Sequence, residues 1–326
     1  MDHASVDNID QLLKKADLVD PSGLSYREYR RGLTPRYGVA WLQIAGGWLA
    51  CITLVSIHVT LADRSIITAA IATPLLAMLI GFSVAYIQLF LHEAAHWNLH
   101  PRRGSNDLLT DLFVGGPVGM DVASYRPIHF DHHRFLGSPD DTEISYFDPL
   151  NIRYFVESLL GIKVLRVMRH RSRVLREKAV SKSWRGRLVF AYGVVLNAAL
   201  VLSLVRAGLW PAALAWTLGI VVFFPFFGAL RQLLEHRDEY ASDDVDYTEV
   251  VHGAIHRLFG DGMLASTLGG AGFNRHLLHH WDPQLSCTRL RDLERFLLST
   301  DARSFMEEHS TTYGRTFRKL FHVGSR

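Results

Sequence analysis

Cysteine is nearly absent from this chain: it has two in 326 residues, Cys51 and Cys287. They make no CxxC, and their separation excludes a disulfide framework and a thiolate metal site. Also missing are an HPGG element for haem, a cysteine cluster for iron–sulfur and a GxGxxG after a strand. The chain therefore carries no redox group of these kinds. Charge of one sign is scarce too: the net charge of +3 gives nucleic acid no role. No internal repeat and no low-complexity tract is present.

What is abundant is uninterrupted apolar sequence. From Val39 to Ala62 the only strongly polar side chains are Gln43 and His58, and from Ile66 to Leu91 only Gln88 stands out. At 1.5 Å per residue these runs make helices of roughly 36 to 39 Å, enough to cross a hydrocarbon core of about 30 Å. A second pair follows, so the predicted spans are 39–62, 66–91, 188–205 and 209–230. The short links Asp63-Arg64-Ser65 and Arg206-Ala207-Gly208 turn them into two hairpins. Pro211 suits a first helical turn, whereas Pro225 in FFPFF removes a backbone hydrogen bond and predicts a kink.

Lys and Arg set the orientation. YREYRRGLTPR precedes the first span, and residues 163–187 carry ten basic side chains (Lys163, Arg166, Arg169, Arg171, Arg173, Arg176, Lys178, Lys182, Arg185, Arg187) against Glu177 alone. Each hairpin link holds one Arg. Both termini and the central loop are expected on the cytoplasmic face. The predicted organisation is a cytoplasmic N-terminal segment (1–37), a membrane domain (38–298) and a cytoplasmic tail (299–326). The fold class is all-α integral membrane, with four transmembrane helices in two hairpins and a cytoplasmic helical cap. About 38 polar, mixed-charge residues precede the first span, which argues against a signal peptide. Within them VDNIDQLLKKADLV reads as a short amphipathic surface helix. Trp97, Trp184 and Trp281 are expected at headgroup level.

The chain has 17 histidines, and their positions say more than their number. His92 and His96 (HEAAH) leave the second span, His129, His132 and His133 (HFDHH) follow in the central loop, His236 ends RQLLEHR, and His276, His279 and His280 (HLLHH) lie near the end. All nine fall on one face of the membrane at similar depth. Side chains at i, i+3 and i+4 share a helix face, so each cluster presents its imidazoles as a stripe. Nine imidazoles exceed what one tetrahedral zinc uses and suit two metal ions of four or five ligands each. Imidazole serves iron, copper, zinc and nickel alike, so the ligands do not choose the metal. Two metals at a membrane face favour redox chemistry.

HEAAH, HFDHH and HLLHH resemble the three histidine boxes of the integral-membrane fatty acid desaturase and hydroxylase superfamily. HHRFLGSPDDTE is similar to the continuation of box two, and NRHLLHHWDP followed by LRDLERFL is similar to the box-three region, the likeness covering roughly His92 to Leu298. The resemblance implies two iron ions held by His92, His96, His129, His132, His133, His276, His279 and His280, with His236 at the place of a ninth ligand after the fourth span. In acyl-CoA desaturases an Asn one turn before that histidine holds a metal-bound water; Gln232 stands there in this chain. Asn274 is a second candidate for orienting a ligand or a water, or for capping its loop. Glu93, Asp131 and Glu235 adjoin the histidines as acceptors for ligand N–H groups.

The implied reaction is O2-dependent desaturation of a lipid acyl chain. Hydroxylation or ketolation of a lipid, carotenoid or sphingoid substrate is the alternative on the same scaffold. Electrons must come from a separate protein such as a ferredoxin or a cytochrome b5 type donor, which the basic stretch 163–187 would attract if it does not simply meet anionic lipid. The Phe223–Phe227 cluster is a candidate lining for a substrate tunnel.

Other readings stand beside these. His92-Glu93-x-x-His96 alone matches an intramembrane zinc protease, whose third ligand would have to be Asp261 in FGDGM, outside any span. A non-enzymatic metal carrier or sensor would place its ionisable groups within the spans. His58 belongs to the far end of the first span, about 30 Å away. His100 reads as a polar cap, and His252 and His256 as part of an amphipathic surface helix.

Overall fold

The computed structural model describes residues 14–323 apart from 16, 178–183 and 254. Most of the expected N-terminal surface helix, with Lys178 and Lys182 of the basic stretch, lies outside the described residues. In chain order the helices used below are α1 (Tyr26–Arg31), α2 (Tyr37–Arg64), α3 (Ile66–Ala95), α4 (Arg103–Phe113), α5 (Val122–Phe135), α6 (Ile152–Leu159) and α7 (Ile162–Glu177). They continue with α8 (Trp184–Arg206), α9 (Trp210–Leu218), α10 (Phe224–His236), α11 (Met263–Leu268), α12 (His276–Trp281) and α13 (Leu290–Leu297). Among the described residues β pairing is confined to two isolated bridges, Val19 with Ser25 and Leu258 with Ser310.

Among the described residues four helical runs are long and apolar enough to cross a membrane: α2, α3, α8 and the combined run Trp210–His236. Their outward faces stay apolar, with Ile71 and Leu42 about three-quarters exposed, as lipid contact requires. The inward faces meet in a core that includes Ile44 of α2, Ile80, Ile87 and Phe90 of α3, and Ala215 and Trp216 of α9. Close approach depends on small residues. A Cβ on Gly81 would stand 2.3 Å from the Cβ of Phe223, and one on Gly219 would stand 2.7 Å from Ile80.

The hairpin turns follow local chemistry. Ser65 ends α2 and caps α3 by accepting from the Thr68 N–H, while Gly208 takes φ +76 between α8 and α9 and Pro211 sits in the first turn of α9. At Pro225 the helix does not simply kink. The preceding residues Gly219–Phe223 form a π-helical turn, with the Phe224 N–H bonded to the Gly219 carbonyl. The wider turn absorbs the hydrogen bond that proline cannot make.

Both helices that end in histidine run further than the apolar pattern alone suggests. α3 has 30 residues and the run to His236 has 27, against the roughly 20 needed to span hydrocarbon. By that measure α3 is longer by nearly three turns, about 15 Å, and the run to His236 by about two turns, about 10 Å, and the remaining chain packs onto the histidine-bearing ends. In that cap Trp281 is fully buried, its ring centroid 4.7 Å from that of Tyr26 in α1. This corrects the headgroup-level placement: the aromatic ring fills a core with Leu290, Leu293 and Leu297 of α13. Trp184 is exposed, and Trp97 lies between the guanidinium groups of Arg103 and Arg126.

A second correction concerns VVHGAIHRLFG. Its described residues form no helix. Gly253 at φ +73 breaks the pattern, and the strand-like strap bonds to its neighbours: His252 N–H to Gly137 O at 2.7 Å, Ile255 N–H to His236 O at 3.2 Å and Phe259 N–H to Asn274 O at 2.8 Å.

Candidate metal centre

The last carbonyls of a helix lack partners within it, and at both projecting ends an arginine from another segment supplies them. Arg126 of α5 donates to Ala95 O at 2.9 Å and Ala94 O at 3.3 Å. Asn106 of α4 adds a bond to Ala94 O and accepts from the Leu99 N–H. At the end of α10, Arg257 of the strap donates to Leu234 O at 2.9 Å and Arg237 O at 2.7 Å. The end of α3 is thus clamped to the helix that carries His129, His132 and His133, and the end of α10 to the segment that holds Arg257.

The nine histidines converge into two groups. His92, His96, His129, His133 and His279 form one, and His132, His236, His276 and His280 form the other. The single stripe expected of each HxxHH is divided. In α5 the i, i+4 pair His129 and His133 joins the first group and His132 the second, whereas in α12 the pair His276 and His280 joins the second and His279 the first. Neighbouring residues on a helix diverge by about 100°, so a histidine doublet lying between two sites serves both.

Within the groups it is the Nε2 atoms that meet. His129 Nε2 lies 2.8 Å from His96 Nε2 and 3.0 Å from His133 Nε2, and His279 Nε2 lies 3.0 Å from His133 Nε2. In the other group His276 Nε2 lies 2.9 Å from His236 Nε2 and 3.0 Å from His280 Nε2. Metal–nitrogen bonds of about 2.1 Å put adjacent donors about 3 Å apart, so these separations suit a shared ion. Both ring nitrogens of His92 and the Nδ1 atoms of His96, His129, His276 and His279 are buried without a hydrogen-bond partner among the described residues. Burial, followed by mutual repulsion, holds His129, His279 and His280 well below the usual imidazole range. Burial also lowers His96 to about 4. Neutral imidazoles at neutral pH are what a metal requires.

His132 differs. Burial pushes its pKa down, but the Asp141 and Glu143 carboxylates outweigh that and leave it raised. Its Nδ1 lies 2.9 Å from Asp141 Oδ1, which fixes the ring with Nε2 toward the group. Asp141 is held in turn by the Tyr146 hydroxyl, and its main-chain carbonyl lies 2.7 Å from His170 Nε2. Neither Asp141 nor Tyr146 was singled out by sequence. Asp141 lies in the HHRFLGSPDDTE stretch, where only its closeness to three histidines hinted at this role.

The remaining candidates sit as follows. Glu93 accepts the Cys287 N–H at 2.9 Å and lies 3.5 Å from His92 Nδ1. Glu235 bonds Arg231 at 2.6 Å and approaches His276 Nε2 to 3.7 Å. Asp131 is half-buried on the same helix as the box-two histidines. Gln232 spends both ends of its amide on protein, donating to Glu143 at 2.5 Å and accepting from the Ser145 N–H at 3.2 Å. Asn274 donates to Gly260 O at 2.7 Å, tying its loop to the strap. A small cavity between the groups is lined by Tyr125, Glu143, Arg231, Gln232, Glu235 and Phe273 beside five of the histidines.

Other histidines stand apart. His58 is buried within the spans, 3.1 Å from Thr73, and His100 Nδ1 accepts the Arg102 N–H at the surface. His252 stacks on Phe147. His256 packs with its ring centroid 4.5 Å from that of His280, yet belongs to neither group. Asp261 is half exposed and paired with Arg275 and Arg291, so it joins neither group. In the basic stretch several charges are used internally: Lys163 and Arg166 on Asp148, Arg171 on the Thr142 carbonyl and Arg185 on Asp111.

Comparison with known families places the chain. The family model described as fatty acid desaturase matches residues 69–316, and no curated protein matches. The chain belongs to the fatty acid desaturase family. It is a membrane oxidoreductase of the desaturase and hydroxylase type, with a lipid substrate and histidine clusters able to hold metal.

Proposed function

We propose that the chain is an O2-dependent desaturase of a lipid acyl chain, with two iron ions held by His92, His96, His129, His133 and His279 and by His132, His236, His276 and His280. The observation that carries this reading is the convergence of nine neutral or carboxylate-steadied imidazoles into adjacent groups beside one cavity. Bound iron would supply the activation of O2. The protein's own part is orientation: Arg126 and Arg257 hold the ligand-bearing helix ends, Asp141 fixes His132, and Tyr125 and Phe273 line the small cavity beside the histidines.

The electron donor is a separate ferredoxin or cytochrome b5 type protein, and the termini and site face the cytoplasm, as the Lys and Arg distribution supports. Exposed Arg169 and Arg187 remain for docking once the internally paired charges are set aside. Lipid mass spectrometry of cells with and without the protein tests the reaction. Loss of two hydrogens from an acyl chain is expected. Gain of one oxygen would mean hydroxylation, and an unchanged lipid profile would sink the proposal.

A further inference from the structure

The nine histidines are not equally enclosed. Seven are buried and two are partly exposed, His133 of the five-histidine group and His280 of the four-histidine group. Their ring centroids lie 4.4 Å apart, so the two exposed rings form one edge to which each group contributes a member. Each ring also faces its own group, His133 Nε2 lying 3.0 Å from His129 Nε2 and His280 Nε2 lying 3.0 Å from His276 Nε2. Whatever touches this edge is a single imidazole away from both metal positions.

The cavity uses different histidines. It is lined by His92, His129, His132, His236 and His276, and by neither His133 nor His280. On α3 it takes His92 rather than His96, and on α10 it takes Arg231 and Gln232, about one turn before His236. These positions are the ones nearer the apolar spans, where a lipid arrives. Access from the lipid side and access from water are thereby separated.

Cations flank the exposed edge. Arg134, next to His133, is exposed. Lys15 holds its ammonium 5.1 Å from the ring centroid of Trp281, the residue after His280, and Lys14 beside it is exposed. Asp282, two residues past His280, is taken by Arg30.

Resting on the reading of the nine histidines as metal ligands, we propose that the His133–His280 edge is where electrons enter, and that a small acidic protein carrying one electron at an exposed redox group docks over it. Electron-transfer encounters bury little surface, below about 1,200 Å², so two rings rimmed by a few cations are enough to define one. Each docking passes one electron from the reduced carrier to an iron(III), leaving the carrier oxidised and iron(II) behind. Two dockings supply the pair that one O2 turnover consumes. Arg169 and Arg187 add to the field that attracts the carrier, while the contact itself lies over the ends of α5 and α12.

The test uses the full-length protein in nanodiscs of zwitterionic lipid, with a plant-type ferredoxin and a soluble cytochrome b5 domain as probes. Metal-free protein is first mixed with each probe and a carbodiimide, which joins carrier carboxylates to nearby lysines. Cross-links at Lys14 or Lys15 are expected, and their absence, with links at Lys178 and Lys182 instead or with none, would overturn the proposal. Iron(III)-loaded protein is then mixed anaerobically with the reduced carrier, whose oxidation is followed by stopped flow. Arg134→Glu and Lys15→Glu should each slow that step about tenfold at low salt, and less at high salt. Iron content and reduction by dithionite should stay at the wild-type level, and Arg134→Lys should keep the wild-type rate. An unchanged rate in both charge reversals would overturn the proposal, as would the same loss in Arg169→Glu alone, or a wild type reduced by dithionite but by neither carrier. A wild type holding no iron that dithionite reduces would overturn the proposed function, so the two readings fail separately.

Discussion

The five-histidine and four-histidine groups are near mirror images in construction, and they differ in the number of imidazoles and in the carboxylates around them. In the first, five imidazoles gather, and Glu93 accepts the Cys287 N–H while standing 3.5 Å from His92 Nδ1. The cavity lies between the two groups, and the second has more carboxylates about it: Asp141 on His132, Glu143 on Gln232, and Glu235 beside His276.

The largest expected effect comes from breaking each group in turn. His132→Ala and His133→Ala should each reduce lipid modification to background, but their metal contents should differ. Removing His133 leaves four imidazoles in its group and removing His132 leaves three in the other, so the iron count should fall further in His132→Ala than in His133→Ala. Equal losses from both variants would erase the distinction between the groups.

This division could not be read from spacing. HxxxH and HxxHH announce metal ligands because their side chains share a helix face, and the apolar runs announce four spans because nothing else buries so little charge over such lengths. What spacing leaves open is which edge of the stripe faces which site, since that depends on how α5 and α12 are rotated about their axes. Asp141 is hidden for a related reason: it lies nine positions after His132 and reaches it only because the intervening chain turns back. The strap at 252–259 was misjudged because VV, I and LF fit a helix face. Contacts with α10 and the Asn274 loop outweigh that local preference.

Asp141→Asn tests the steadied side of the comparison. Asn keeps the size of the side chain but loses the charge that raises His132, so the four-histidine group should bind metal about 10- to 100-fold less tightly while the five-histidine group is unaffected. Chelator competition on the purified protein resolves the two. A uniform loss from both groups would mean that Asp141 supports the whole cap.

Acid acts on both groups, and His132 alone stands apart. The folded pKa values of His96, His129, His133 and His279 lie below the ordinary value of 6.5, His96 at about 4, so the unfolded chain takes up protons first as pH falls. The stability of the metal-free protein should be intact above about pH 6.5 and decline toward pH 4. Each such histidine contributes up to about 1.4 kcal/mol per pH unit, or tenfold in the unfolding constant. His132, with its raised value, opposes the trend, because its contribution is present below the ordinary value and is lost as pH rises through the folded one. The net expectation is a melting midpoint that drops by several degrees between pH 7 and pH 5, and in Asp141→Asn it should drop further.

The smallest effect probes the five-histidine group. Glu93 holds the Cys287 N–H through Oε2 and stands 3.5 Å from His92 Nδ1 through Oε1, so it joins the end of α3 to the segment that follows box three. Glu93→Gln keeps a carbonyl oxygen for the Cys287 N–H and gives up only the charge. The difference between a charged and a neutral acceptor is on the order of 1 kcal/mol, so turnover should fall by about fivefold and iron content should stay at the wild-type value. A peptidase using His92, Glu93 and His96 would lose its general base in the same variant, and its activity would vanish. A surviving, slightly slower lipid oxidation in Glu93→Gln therefore separates a carboxylate that braces one histidine from one that performs the reaction.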